Sequence, residues 1–155
     1  MPKKLYISII ALVFVLLIFY LSLMNYNSKK TFKKPEFDSS AVSGIPDVED
    51  EIYYKPLDAD NLYSISLYTK PLIDNKNLII YLTSSKENNN YVKVRILKKE
   101  KIIGESGLIK PGEYIKSIKL NSSLKKGDKI TIKIMGYETE TYYSYGVITV
   151  DSDVR

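Results

Sequence analysis

The first feature of the hydrophobic pattern is a predominantly apolar run over residues 5–24, which contains no charged side chain. A helix rises about 1.5 Å per residue, so a run of this length covers about 30 Å, the hydrocarbon thickness of a bilayer. Tyr6, Tyr20 and Tyr26 lie near its ends, where tyrosine rings favour the headgroup level. The pattern predicts one transmembrane helix with interfacial tyrosines, preceded by a short cytoplasmic tail of residues 1–4.

A cleaved signal peptide is the alternative interpretation of this run, because Lys3 and Lys4 match its basic beginning. The apolar core of a signal peptide is only about 7 to 15 residues long and leads into a cleavage site of small residues. This run is longer and ends in Ser22-Leu23-Met24. We therefore expect an uncleaved signal anchor in a single-pass membrane protein.

Lysines on both sides of the apolar run affect the predicted orientation of this helix in the membrane. Two lysines precede the run and four follow it, namely Lys29, Lys30, Lys33 and Lys34. The positive-inside rule alone would place the larger group in the cytoplasm, but the tail is short and basic and its α-amino group adds a charge. We expect the tail inside and the rest of the chain extracytoplasmic, with the four lysines resting on anionic headgroups of the outer leaflet.

The next stretch of the chain is acidic and shows no sustained periodicity. Residues 35–60 contain eight carboxylates and a single lysine, together with serines, prolines and a glycine. Such a composition favours a flexible chain that repels itself. We expect residues 25–60 to form a basic juxtamembrane segment and an acidic flexible stalk.

Beyond residue 60 the hydrophobic pattern alternates in short runs that are separated by turn residues. In the clearest run, residues 129–135, Ile130, Ile132 and Ile134 alternate with polar side chains, so one face is apolar. About seven such runs fit into residues 61–155. They predict an all-β domain, a small Ig-like antiparallel β-sandwich on one N-terminal transmembrane helix.

Composition removes several classes of chemistry. The chain contains no cysteine and no histidine, which excludes disulfides, thiol nucleophiles and thiolate metal sites and removes the commonest general base. Asp58, Asp60 and Asn61 resemble part of a calcium loop, but its glycine and distal acid are missing. The net charge of +5 is not gathered into a dense stripe. We expect no metal, no other cofactor and no nucleic-acid partner.

One stretch of the chain resembles known proteins. Residues 78–137 combine alternating runs with the segment Ser106-Gly107-Leu108-Ile109-x-Pro111-Gly112. This order is similar to that in a group of small, uncharacterised β-sandwich proteins of Gram-positive bacteria, which are often membrane-anchored. The resemblance implies a β-sandwich at the cell surface and brings no site residues with it.

Four tyrosines lie within residues 137–146. Successive side chains of a strand point to opposite faces, so these rings cannot all enter one core. Regular alternation places Tyr143 and Tyr145 on the face of Val147, opposite Ile148. We expect the Ile148 face to be buried, which makes Tyr143 and Tyr145 candidate contacts for a partner.

These observations favour a non-enzymatic, membrane-anchored interaction or accessory domain of a surface or membrane assembly, with the bilayer and another protein as partners. A membrane-tethered binder of cell-wall polymer or glycan is the alternative. A hydrolase with a serine nucleophile and a lysine base is a remote third possibility, because the Ser-Met-x-Pro motif of signal peptidases is absent.

Overall fold

The computed structural model describes residues 12–22 and 32–155. Residues 12–22 form a helix, α1. Residues Pro35–Arg155 form a separate compact unit that contains all the strands. In the described ranges, no helix is both long enough and apolar enough to cross a bilayer. Tyr6, Tyr26, Lys29 and Lys30 lie outside these ranges.

The compact unit consists of ten strands and one 3-10 turn, Glu51–Tyr53. The strands are β1 (Val42–Ser43), β2 (Tyr54–Asp58), β3 (Ser64–Tyr68), β4 (Leu72–Asp74), β5 (Asn77–Ser84), β6 (Asn90–Lys98), β7 (Lys101–Glu105), β8 (Glu113–Lys119), β9 (Lys129–Glu138) and β10 (Ser144–Asp153). The expected number of about seven is therefore too low. The additional strands are short ones, β1, β2 and β4, whose few residues show no clear alternation.

The strands pair antiparallel in two sheets. One sheet has the order β1-β8-β5-β3-β2, with β4 also paired to β5, and the other has the order β10-β9-β6-β7. The inward positions of both sheets form one core of aliphatic side chains, which includes Leu67, Leu82, Val94 and Ile132. This arrangement confirms the prediction of an all-β sandwich.

The acidic segment before residue 61 belongs to this unit, so the prediction of a flexible stalk is corrected. Phe37 pairs with Leu108 in a parallel bridge, and the amide of Gly107 donates a hydrogen bond of 2.8 Å to the Asp38 carboxylate. Backbone pairing and a buried partner hold this segment against the sandwich. The folded unit begins at Pro35 rather than at residue 61.

Residues 44–53 cross the outer face of the six-stranded sheet, because they connect β1 and β2 at its two opposite edges. The Tyr68 hydroxyl accepts a hydrogen bond of 3.0 Å from the amide of Asp50. The guanidinium of Arg155 forms an ion pair of 2.9 Å with Asp50 and lies 4.1 Å from the centre of the Tyr53 ring. Arg155, which follows β10, therefore holds the crossing segment against the sheet.

The strands run between two ends of the sandwich, which we name for their side chains. The tyrosine end contains the β9–β10 loop and the β5–β6 loop, since Asn90 pairs with Glu138. The lysine end contains the β4–β5 turn, the β6–β7 turn, the β8–β9 loop and the end of β10. Hydrogen bonds join its parts, from the amide of Leu120 to the Lys76 carbonyl and from the amide of Gly127 to the Val154 carbonyl.

Candidate interaction surface

The β9–β10 loop at the tyrosine end is ordered by its own hydrogen bonds. The amide of Tyr142 donates to the Glu138 carbonyl at 3.1 Å, and the amide of Glu138 donates to the Tyr143 carbonyl at 3.0 Å. The Thr141 hydroxyl donates a hydrogen bond of 2.5 Å to the Glu138 carboxylate and accepts one of 3.2 Å from the Tyr143 amide. A loop fixed in this way loses little conformational freedom when it binds a partner.

Three aromatic rings form a continuous patch on the outer face of the four-stranded sheet. Tyr91 meets Phe37 edge-on at 4.9 Å between ring centres, and it stacks on Tyr142 at 6.0 Å with an interplanar angle of 30°. The ammonium group of Lys110 lies 4.9 Å from the centre of the Phe37 ring. We call Phe37, Tyr91 and Tyr142 the aromatic patch. Phe37 is exposed and the two tyrosines are half-buried. Partly exposed aromatic groups of this kind are typical of contact surfaces.

The two predicted contact tyrosines occupy different environments. Tyr143 is 68% exposed beside the aromatic patch, whereas Tyr145 is half-buried. Ile148 is buried, as predicted. The prediction that Tyr145 shares a face with Val147 is wrong, because a bulge interrupts the alternation: Tyr145 pairs with Gly136 and Ile148 with Ile134, which places both on the inner face.

Tyr63 supports this bulge from the core. Its hydroxyl donates a hydrogen bond of 3.0 Å to the Ile134 carbonyl, and its ring lies so close to Gly136 and Gly146 that a Cβ atom at either position would meet it. Gly146 has a φ of +67°, which a side chain would strain. Burial raises the pKa of Tyr63 to about 12. Tyr63 therefore fixes the position from which the loop and its tyrosines project.

Removing the Tyr63 hydroxyl should change the alkaline stability of the domain. We expect Tyr63→Phe to lower the free energy of unfolding by about 1 kcal/mol near neutral pH, because the Ile134 carbonyl loses its partner. Above a pH of about 10, Tyr63 ionises in the unfolded chain but stays protonated in the folded domain until about pH 12. The free energy of unfolding of the wild type therefore falls over this range, whereas the variant has no hydroxyl at this position to ionise. Urea unfolding at several pH values should show the difference shrinking over this window. A constant difference would contradict the buried hydroxyl.

A groove lies on the outer face of the six-stranded sheet. It encloses about 510 Å³ and is lined by hydroxyl groups and by apolar side chains, including Ile45 and Pro56. The Tyr54 and Thr83 hydroxyls are 2.5 Å apart, and burial raises the pKa of Tyr54 although this hydrogen bond opposes it. No carboxylate lines the groove. The groove offers serine, threonine and tyrosine hydroxyls, and Lys86, whose ammonium group lies 4.0 Å from the Glu87 carboxylate, is the charged residue of its lining.

The interfacial roles predicted for the residues around the apolar run stay predictions. Tyr20 lies in α1, and Lys33 and Lys34 are exposed just before the compact unit. The Asp58 carboxylate accepts a hydrogen bond from the Ser64 hydroxyl, and no group of three potential metal ligands occurs in residues 12–22 or 32–155. Phe37, Tyr91 and Tyr63 were not predicted as parts of the surface. The signal in the sequence that could have indicated close packing there is the pair of glycines, Gly136 and Gly146, that flanks the tyrosines.

Comparison with known proteins returned no matching family model, no matching curated protein and no matching solved structure.

Proposed function

We propose that the protein is a membrane-anchored, extracytoplasmic interaction domain without enzymatic activity, which contacts another protein of a surface or membrane assembly through its tyrosine end. The observation that carries this proposal is the aromatic patch beside Tyr143 on an internally ordered loop. Aromatic side chains contribute most to binding where they stand on a rigid base. The apolar run over residues 5–24 supplies the membrane anchor, and the Ig-like sandwich presents the surface.

Tyr143 is the first contact of this surface because it is the most exposed of its aromatic side chains. Tyr145 lies at the inner rim, where it packs near Tyr63 and contributes through its exposed part. Tyr143→Ser therefore removes contact area while leaving the core intact. Tyr145→Ser would disturb both.

Photo-crosslinking in cells tests the contact. With a photoreactive residue in place of Thr139, which is exposed on the same loop, we expect a discrete protein adduct. Tyr143→Ser should lower the adduct yield about tenfold, which corresponds to about 1.4 kcal/mol. It should change the free energy of unfolding by no more than about 0.5 kcal/mol, as is usual for surface substitutions.

Ile52→Ser is the matched control, since Ile52 is also 68% exposed but lies on the crossing segment. This control should leave the adduct yield unchanged. An equal yield from wild type and Tyr143→Ser would refute the proposed contact. An adduct with wall polymer instead of protein would favour the alternative of a tethered glycan binder, for which the hydroxyl-lined groove is the supporting observation.

A further inference from the structure

The lysine end collects charges that are far apart in the sequence. Eight lysines lie in its turns and strand ends: Lys76, Lys98, Lys99, Lys101, Lys119, Lys125, Lys126 and Lys129. Five acids accompany them: Asp74, Glu100, Asp128, Asp151 and Asp153. Together these side chains carry a net charge of +3, and Arg155 and Asp50 beside this end add none because they pair with each other.

Most of these lysines have no ion partner in the structure. Within residues 32–155 the only ion pair among these side chains joins Lys98 to Asp128 at 2.7 Å, and the hydrogen bond from Lys98 lowers the pKa of Asp128. The other seven ammonium groups are on exposed residues. Lys125 and Lys126 stand together in the β8–β9 loop, close to Ser123. Unpaired, exposed ammonium groups are the ones that an external anionic surface can attract.

The opposite end of the sandwich has the opposite sign. Asp58 and Asp60 lie at the β2–β3 turn, which belongs to the tyrosine end because the amide of Ser64 donates to the Asn88 side chain at 2.8 Å. Glu87, Glu138 and Glu140 lie at the same end, where Lys86 is opposed by its neighbour Glu87 at 4.0 Å. Lys110 and Glu113 offset each other nearby. An anionic surface would therefore attract one end of the domain and repel the other, which orients the domain as well as binding it.

The path of the chain fits the same orientation. Residues 36–38 pair in parallel with the segment around Leu108, which follows β7 away from the lysine end towards Ile109 and its partner Val92. The chain thus enters the compact unit travelling away from the lysine end. This direction is consistent with a chain that arrives from a membrane lying against the lysine end.

From these charges and this direction we infer that the lysine end docks on the anionic headgroups of a lipid bilayer and holds the tyrosine end away from it. Lysines near a membrane each contribute to such binding, and salt weakens it. The inference rests on the proposed membrane location. It adds a partner for a surface that the proposed protein contact does not use.

A single fluorescent label tests this docking, because the chain has no cysteine of its own. The full chain carrying Ser123→Cys is labelled and reconstituted in vesicles that contain a headgroup-quenched lipid. With about 30% phosphatidylglycerol, we expect strong quenching that about 0.5 M salt abolishes, since screening then acts within about 4 Å. Lys125→Glu with Lys126→Glu makes the end acidic and should lower the quenched fraction about tenfold.

The controls separate docking from other causes of quenching. A label at Thr139→Cys, at the tyrosine end, should stay unquenched, and Lys55→Glu with Lys86→Glu should leave the Ser123 signal unchanged. Equal quenching in pure phosphatidylcholine, or quenching at position 139, would overturn the inference. Flotation with phosphatidylcholine vesicles tests the transmembrane anchor separately, because an inserted helix needs no anionic lipid. A chain that floated only with anionic vesicles would refute the transmembrane anchor but would still support docking by the lysine end.

Discussion

Gly136→Ala should cost the domain about 3 kcal/mol of unfolding free energy. A Cβ atom at this position would lie 2.7 Å from the Tyr145 carbonyl oxygen and 2.7 Å from the Tyr63 ring. The carbonyl belongs to the backbone of the bulge and the ring is fixed by its hydrogen bond to Ile134, so neither neighbour can move without disturbing the other. Overpacking of a rigid site costs about 1 to 3 kcal/mol, and this site is at the upper end.

Denaturant unfolding of the variant measures this cost, with Gly127→Ala as the control. A Cβ atom at Gly127 would have nothing within 4 Å, so only the φ of +85° opposes a side chain there and a loss of about 1 kcal/mol is expected. Because the bulge positions the β9–β10 loop, Gly136→Ala should also weaken the crosslink from position 139. A loss below about 1 kcal/mol for Gly136→Ala would show that Tyr63 does not support the bulge rigidly.

The long strands could be predicted because their alternation is a local property. Residues 129–135 have one apolar and one polar face, and the structure places them in β9 with Ile132 and Ile134 fully buried. The same holds for β6, in which Val92, Val94 and Ile96 face the core. Each of these strands carries its own pattern, whichever strand lies beside it.

The acidic segment could not be placed from its sequence, because its contacts are distant in the chain. Asp50 pairs with a residue 105 positions away, Arg155, and Asp38 accepts a hydrogen bond from a residue 69 positions away, Gly107. Its local composition is that of a tether, and only the rest of the fold supplies its partners.

The candidate surface was predicted in part for a similar reason. The burial of Ile148 matches the prediction, but Tyr143 is exposed because it lies in the loop before β10, and one extra residue at Gly146 reverses the face of Tyr145. The clustering of charge at the lysine end could not be predicted from the sequence either. Lysines that are spread singly along the chain gather at one end, because alternate turns of antiparallel strands lie together.

The partner contact and the membrane docking both need an anchored chain whose domain lies outside the cell, and labelling with a membrane-impermeant maleimide tests this topology directly. The cysteine-free chain accepts one cysteine at a time, at Lys86, which is exposed in the β5–β6 loop, or at Pro2 in the tail. We predict that Lys86→Cys reacts in intact cells and that Pro2→Cys reacts only after the membrane is permeabilised. The reverse pattern would contradict the account, since both the partner contact and the outer-leaflet docking require the domain outside.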